Sequence, residues 1–346
     1  MKKRIWWIML CVCLVAVCLV GCSDTESEVE NTGEEEIPTV AEEEGQRKSI
    51  LYYEDASGYL VPVMKQVAWE EGIGKKVVGE LIQNEDSSII LEEMGLKQLL
   101  PADSKVSLNI GEDKLATLNI QTDSIETVSA LDEANLVAGV VNTLTEFDTI
   151  DKVQIQVNGK SDALPNGLDI SQPFSTFDIN VEPVTSDIDI SNASKMNLYF
   201  INASTGLTVP VTRYVNGEAD AAMAAQELVN GPKDRISLTT YFPEGTKLLE
   251  AKLDEEGTLN LNFSKEFNEI SGNPEKEKEL MKCIVLTSMQ FDSVKGVGIY
   301  VEGKEYEGDT TPTMTNSEFQ YVNTMKTYNY DTQQSSPINV KEEIEN

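Results

Sequence analysis

The stretch FDTIDKVQIQVNGK at residues 147–160 returns as FDSVKGVGIYVEGK at residues 291–304. Matching positions keep a constant separation of 144 residues, which chance matches between common residues would rarely produce. In the first copy Val153, Ile155 and Val157 alternate with polar residues. Strict alternation predicts a β-strand with one buried face. The sequence therefore contains a repeated unit that ends in a strand.

The similarity extends backwards over the whole of residues 49–160 and 196–304. Leu51-Tyr52-Tyr53 corresponds to Leu198-Tyr199-Phe200, and Val61-Pro62-Val63 corresponds to Val209-Pro210-Val211. These matches indicate a tandem duplication. The predicted organisation is a signal peptide at 1–21, a tether at 22–48, domain 1 at 49–160, a connector at 161–195, domain 2 at 196–304 and a C-terminal tail at 305–346.

Each copy has the same predicted order of elements, ββαββαβ. Helical periodicity predicts a short helix at 74–84 and 219–230 and a longer one at 131–147 and 275–291. Asp220 is the expected N-cap of the second short helix, and Gly231-Pro232 its expected stop. We therefore predict an α+β fold of two homologous domains, each a mostly antiparallel sheet with two helices packed on one face.

The first 22 residues have the pattern of an exported lipoprotein. Lys2-Lys3-Arg4 precede a 16-residue apolar run from Ile5 to Val20, which is short of the roughly 20 residues of a spanning helix. The run ends at Gly21-Cys22, which resembles a bacterial lipobox. Cleavage before Cys22 would leave its thiol diacylated, with chains such as palmitate as the membrane anchor. An uncleaved anchor helix is the alternative, and both put the protein on the outer face of the cytoplasmic membrane.

Composition limits the functions that are open to this chain. It holds 27 Lys+Arg, 59 Asp+Glu and no histidine, for a formal charge of −32. Without histidine there is no Ser-His-Asp or Cys-His mechanism and no His-ligated zinc site. The negative charge argues against a nucleic-acid partner. Removing residues 1–21 takes away three basic groups and no acidic one, so the formal charge becomes −35. Apart from Cys22, the remaining chain has a single cysteine, Cys283. No intramolecular disulfide is then possible.

The segments outside the copies differ in character. Residues 23–48 carry ten acids and two bases and almost nothing apolar, which predicts an extended tether. Prolines among Asp and Ser make 161–195 a linker, although Phe174 and Phe177 are expected to hold part of it to a domain. The tail is expected to be partly docked up to about residue 330 and disordered beyond it, because aromatic residues such as Phe319 and Tyr321 are unusual in disordered chain.

The duplication, the lipobox and the closing pattern T-x-x-x-F-D-[ST]-[IV]-x-x-V-x-I-x-V-x-G-K resemble the GerM lipoproteins of endospore-forming bacteria. Their repeated unit is the GerMN, or sporulation and spore germination, domain. The first copy departs from the pattern at Asn84-Glu85-Asp86, where the second copy has the more usual Asn230-Gly231-Pro232. The resemblance implies a non-enzymatic envelope protein of sporulation and germination, which assembles with other proteins in a complex that spans the envelope.

Features that imitate catalytic or binding motifs have simpler explanations. In Gly72-x-Gly74 with Gly79 the third glycine is too late for a dinucleotide fingerprint, so a loop entering a helix is expected. The equivalent residues Asp148 and Asp292 are expected to close turns. Asp187-Ile188-Asp189 lacks the continuation of a calcium loop. Cys283 lies beside an apolar helix stripe and is expected to be a buried thiol. We expect no catalytic residue, no metal and no cofactor.

Two functions from different classes remain open. The first is the assembly or interaction role, with other envelope or sporulation proteins as partners. The second is capture of a small solute or cell-wall fragment in a cleft between the copies, which predicts a concave pocket with convergent polar groups.

Overall fold

The computed structural model describes residues 45–125, 129–308, 313–315 and 319–325. Cys22 and the predicted signal peptide lie outside these residues. No helix in the described part of the chain is both long enough and apolar enough to cross a membrane.

Repeat 1, the first copy of the duplicated unit, opens with two long strands and closes with a strand, a helix and a parallel strand. Residues Val61 and Val63 of its second strand are fully buried. Its elements are β1 (Gln46–Asp55), β2 (Leu60–Ala68), α1 (Ile73–Gly79), α2 (Glu85–Glu93), β3 (Leu96–Lys97), β4 (Lys105–Ile110), β5 (Leu115–Gln121), α3 (Ala130–Thr145) and β6 (Lys152–Val157).

Repeat 2, the second copy, has the same framework. Asp220 caps its first helix as expected, since its carboxylate accepts a hydrogen bond from the Met223 N–H at 2.7 Å. Its elements are β7 (Ala193–Asn202), β8 (Thr208–Asn216), α4 (Ala221–Asn230), β9 (Leu238–Thr239), β10 (Leu248–Leu253), β11 (Thr258–Phe263), a 3-10 helix (Lys265–Gly272), α5 (Pro274–Ser288), β12 (Gly296–Val301), β13 (Lys304–Glu305) and β14 (Thr313–Met314).

The α+β class, the duplication and the predominance of antiparallel pairing are confirmed. The strands of each repeat divide into two sheets, with the orders β2-β1-β3 and β4-β5-β6 in repeat 1. Repeat 2 has β8-β7-β9 and β10-β11-β12, and β13 and β14 extend the second of these. The closing strand is the exception, because β6 is parallel to β5 and β12 is parallel to β11. A helix joins each parallel pair, as such a connection requires.

Repeat 1 differs from the prediction between its first helix and its hairpin. The helix expected at 74–84 ends at Gly79, and an unpredicted helix, α2, follows at Glu85–Glu93. Asn84 begins α2, because its side chain accepts a hydrogen bond from the Ser87 N–H at 2.8 Å. The departure from the family pattern at residues 84–86 is therefore the start of an inserted helix. Repeat 1 consequently carries three helices where two were predicted.

One predicted boundary also moves. β1 begins at Gln46, so residues 46–48 of the predicted tether pair with β2 as part of repeat 1. The connector is bonded to repeat 1 at the two aromatic residues that were expected to hold it. Phe174 exchanges two backbone hydrogen bonds with Val153, at 2.8 and 2.9 Å, and the Phe177 N–H donates to the Asn142 side chain at 2.8 Å.

The two long helices pack against the long strands in the same way. Leu136, Val140 and Thr143 form a buried stripe on one face of α3. Thr143 within that stripe accepts a hydrogen bond from the Tyr52 N–H at 3.2 Å, and its counterpart Thr287 accepts one from the Tyr199 N–H at 3.3 Å. These polar residues on an apolar face thus join helix to strand in both repeats.

Candidate functional site: the interface between the two repeats

The turns that follow β1 and β7 meet across the interface. Asp55 and Asn202 occupy the same position in the two repeats, and both are almost completely buried. The Asn202 amide donates to the Asp55 carboxylate at 2.6 Å. The other oxygen of Asp55 accepts from the Ser57 and Tyr59 N–H groups, at 2.8 and 2.9 Å. The two side chains can form this hydrogen bond because the carboxylate of Asp55 accepts it and the amide of Asn202 donates it.

The segment after repeat 1 pairs with repeat 2. We call residues 177–182 the connector strap. Within it, Asn180 accepts from the Leu60 N–H at 2.8 Å and donates to Leu60 O at 2.8 Å and Pro210 O at 2.6 Å. One side chain therefore bonds β2 of repeat 1 and β8 of repeat 2. The strap then runs parallel to β8, where Thr212 N–H donates to Asn180 O at 3.3 Å and Glu182 N–H donates to Thr212 O at 2.9 Å.

The segment after repeat 2 crosses back to repeat 1 in the equivalent way. We call residues 319–325 the tail strap. Asn323 accepts from the Thr208 N–H at 3.0 Å and donates to Thr208 O at 2.8 Å and Pro62 O at 3.1 Å. The strap runs parallel to β2, with Met64 N–H donating to Asn323 O and Met325 N–H donating to Met64 O, both at 2.8 Å. Each repeat thus lends its following segment to the edge of the other.

A buried ion pair fixes the connector strap. Arg213 on β8 makes a bidentate contact with Glu182, with nitrogen–oxygen distances of 2.5 and 2.9 Å, and a second contact with Glu227 at 2.7 Å. Its remaining donors reach Glu227 O at 3.1 Å and Gly231 O at 2.9 Å. These neighbours offset the burial of the guanidinium, so the pKa of Arg213 is raised despite desolvation, which opposes the rise.

A cavity of about 450 Å³ lies between the repeats. Tyr52 and Pro62 line it from repeat 1, and the equivalent Tyr199 and Pro210 line it from repeat 2. Both straps also contribute to its wall. A concave space therefore lies between the repeats, where the ligand-capture hypothesis places its site.

Two pairs of polar side chains in this cavity are bonded to each other. The Tyr52 hydroxyl donates to Glu146 at 3.0 Å, and Lys195 contacts Asp178 at 2.6 Å. Burial raises the pKa of Tyr52 well above its usual range, and the nearby Glu146 carboxylate adds to the rise. Burial also raises the pKa of Glu146, while its hydrogen bond from Tyr52 opposes this shift. The pKa of Tyr199 is raised to about 12, chiefly by burial. Both phenols therefore stay protonated near neutral pH.

The residues singled out in the sequence lie apart from this interface or play structural parts. Asp148 and Asp292 are exposed in the equivalent turns after α3 and α5. Asp189 is exposed and accepts hydrogen bonds from Ser191 N–H at 3.1 Å and from the Asn192 side chain at 2.7 Å. Gly72 has a φ of 80° and precedes α1, as expected for a loop entering a helix. Among the described residues, no group of His, Cys, Asp and Glu is arranged to hold a metal ion.

Cys283 is a buried thiol, as predicted. It is 3% exposed on α5, and burial raises its pKa to about 12. Gly139 takes its place on α3, because an added Cβ would lie 2.2 Å from the Leu99 side chain and 3.5 Å from Tyr52 O. The two repeats therefore fill the same position differently. Cys22 lies outside the described residues, so its acylation stays a prediction.

Sequence reasoning missed Asn180, Asn323, Glu182 and Arg213. The one signal that points to them is faint. FDINV at 177–181 and QYVNT at 320–324 each place an asparagine in a segment that follows a repeat. Without their contacts to β2 and β8, nothing distinguishes these asparagines from ordinary loop residues.

Comparison with known proteins matches these repeats to a family. The family model described as "Germane: Sporulation and spore germination" matches residues 50–163 and 197–307, which together make up well over half of the chain. This chain belongs to the Germane family. The two matched segments coincide with the two repeats, and both straps lie outside them.

Relatives of this Germane protein have the same tandem layout. The chain is 32% identical over 265 residues to the spore germination protein GerM of Bacillus subtilis (strain 168), covering 73% of this chain and 71% of the relative. It is also similar to the solved structure of the tandem GerMN domains of the sporulation protein GerM from Bacillus subtilis. That match has a TM-score of 0.64 and 29% identity, and covers 81% of this chain and all of the other.

Proposed function

We propose that this Germane protein is a lipid-anchored, non-catalytic interaction component of sporulation and spore germination. It is attached through acylated Cys22 to the outer face of the cytoplasmic membrane and assembles there with other envelope proteins. The observation that supports the interaction role is the hydrogen-bonded interface between the repeats. The Asn202 amide bonds the Asp55 carboxylate, and the side chains of Asn180 and Asn323 bond backbone groups of both repeats. The interface therefore holds two similar domains in one arrangement. A fixed pair of domains suits simultaneous contact with partners.

The anchor is tested by Cys22→Ala. We expect the variant to leave the membrane fraction or to remain an unprocessed precursor, because two acyl chains provide stable attachment. Cys18→Ala is the matched control, since Cys18 is also a cysteine of the N-terminal segment but lies within the predicted signal peptide. Radiolabelled palmitate incorporation into both variants measures acylation directly. Unchanged labelling of Cys22→Ala would refute the assignment.

The interaction role is tested in sporulating cells. A crosslinking pull-down of the tagged protein, timed through sporulation, is expected to recover membrane-associated partners. The same experiment with the soluble Cys22→Ala variant separates partners that need the membrane from those that do not. If no partner is recovered and a deletion strain sporulates and germinates normally, the interaction role is wrong.

The cavity between the repeats favours one second candidate, capture of a small solute or wall fragment. Its volume of about 450 Å³ is within the range of small-ligand sites. Tyr199→Ala enlarges the cavity without removing a charge, and Tyr199→Phe keeps its shape. A ligand that stabilises the wild type and Tyr199→Phe against heat, but not Tyr199→Ala, would support capture. A screen of solutes and wall fragments with no thermal stabilisation would exclude it.

A further inference from the structure

We propose that the edge of β2 is a recognition groove for an extended peptide, and that the tail strap is an exchangeable occupant supplied by the chain itself. The external occupant is a segment of a partner protein that carries an asparagine followed two residues later by an apolar side chain. This inference deepens the proposed interaction role by naming the chemistry of the partner.

The groove recognises its occupant through the main chain and one amide. Met64 receives the strap through one donated and one accepted backbone hydrogen bond, both 2.8 Å long. Asn323 adds three bonds, one accepted and two donated, to Thr208 and Pro62. Only a carboxamide combines an acceptor with two donors in this geometry, because a carboxylate donates nothing and alanine offers neither group. The asparagine therefore sets the register of the bound segment.

The same recognition occurs twice in one molecule. In the connector strap, the Asn180 side chain also accepts one hydrogen bond and donates two. It accepts from Leu60 N–H and donates to Leu60 O and to Pro210 O of β8. The three residues before the asparagine are Phe177, Asp178 and Ile179 in one strap and Gln320, Tyr321 and Val322 in the other. These residues differ in size and charge between the two straps, so the feature that the two straps share is the asparagine.

The residue two positions after the asparagine distinguishes the two grooves. In the β8 groove this residue is Glu182, and Arg213 bonds it. The β2 position equivalent to Arg213 is Lys65, which already contacts Glu80 at 2.6 Å. With its cation neutralised, the β2 groove takes the apolar Met325, which is 8% exposed. A partner segment for β2 is therefore apolar at this position.

The tail strap is the weaker of the two. The connector strap is held by the buried Glu182–Arg213 pair and by the Thr212 hydroxyl, which donates to Ile179 O at 3.0 Å. It is also joined to a folded repeat at each end, so it cannot diffuse away when its hydrogen bonds open. Met325 contributes apolar burial in place of an ion pair. Exchange is thus expected at β2 and not at β8.

The probe is a fluorescent peptide with the sequence of residues 319–328, FQYVNTMKTY, added to the full-length protein in detergent. In the Asn323→Ala protein the internal strap is weakened, so we expect the peptide to bind about tenfold or more tightly than it binds the wild type. A peptide with alanine in place of its asparagine is expected to bind the Asn323→Ala protein about tenfold more weakly than the unaltered peptide does. Fluorescence anisotropy measures both.

Two variants control the experiment. Thr324→Ala changes an exposed strap side chain and is expected to bind the peptide as the wild type does. Asn180→Ala weakens the connector strap, which the ion pair retains, and is expected to give no gain. A folded Asn323→Ala protein that gains no peptide affinity overturns the proposal, as does equal binding of the alanine peptide.

Hydrogen exchange of the wild-type protein gives a test that needs no substitution. The Met64 and Met325 amides are expected to exchange faster than the equivalent Thr212 and Glu182 amides, because tail-strap opening exposes the first pair. Equal protection of the two pairs overturns exchangeability. Neither measurement depends on acylation or on capture of cellular partners, so the groove and the proposed function can fail separately.

Discussion

Replacing Asn202 by Asp tests whether the interface depends on one acid meeting one amide. The substitution keeps the shape of the side chain and its acceptor for the Ser204 and Thr205 N–H groups, at 2.8 and 3.0 Å. It removes the amide that donates to Asp55 at 2.6 Å and puts a second carboxylate there. Two unit charges about 4 Å apart repel by about 4 kcal/mol at an effective dielectric constant of about 20. One carboxylate avoids this repulsion by keeping its proton, which raises its pKa in the folded state.

The pH dependence of the loss follows from that raised pKa. A group whose pKa is higher in the folded than in the unfolded state lowers the free energy of unfolding at every pH above its unfolded pKa. This loss of stability disappears as the pH falls to the unfolded pKa. With about 1.4 kcal/mol per unit above an unfolded pKa of about 3.9, the expected loss is about 1.5 kcal/mol at pH 5 and about 4 kcal/mol at pH 7. Urea unfolding at both pH values measures it. The reciprocal variant Asp55→Asn/Asn202→Asp restores one acid and one amide and is expected to recover most of the stability. Equal stability of Asn202→Asp at the two pH values, or no rescue, would contradict the reasoning.

Two further predictions concern the ion pairs and the thiol. Glu182→Gln is expected to lower the free energy of unfolding by about 3 kcal/mol in urea titrations, because it leaves Arg213 buried with only Glu227 as its charged partner. The exposed Lys195–Asp178 pair is the comparison, and Asp178→Asn is expected to cost less than about 1 kcal/mol. Similar losses for the two variants would show that burial does not set the difference. Cys283 is expected to resist maleimide labelling at pH 8 in the folded protein and to react in urea, since its thiol is buried with a pKa of about 12. Rapid labelling without denaturant, read by mass spectrometry, would contradict this assignment.

Elements with their own local pattern were predictable. The alternation of Val153, Ile155 and Val157 identified β6, and its recurrence 144 residues later identified β12. The capping of α4 by Asp220 was also readable, because a cap is a contact between residues three positions apart. Helix α2 was missed because residues 85–93 have a single buried residue, Leu91, and hence no apolar stripe.

The interface was not predictable, because its contacts join distant parts of the chain. Asn180 bonds Leu60 across 120 residues, and Asn323 bonds Pro62 across 261. A side-chain amide that satisfies a distant backbone group leaves no periodicity and no cap pattern in its own neighbourhood. The parallel direction of β6 against β5 also depends on how α3 returns the chain, which alternation alone does not specify.

The sequence by itself determined that the protein is a duplication, which face of β6 is buried, and where its two repeats lie. Those properties follow from hydrophobic pattern and local turn chemistry, which act over a few residues. The tertiary structure alone decided that the segment after each repeat completes the other repeat. That exchange follows from two open strand edges whose backbone groups need partners, and from two asparagines placed where the edges meet. It makes the tandem one unit with two grooves, of which one is fixed by the Glu182–Arg213 ion pair.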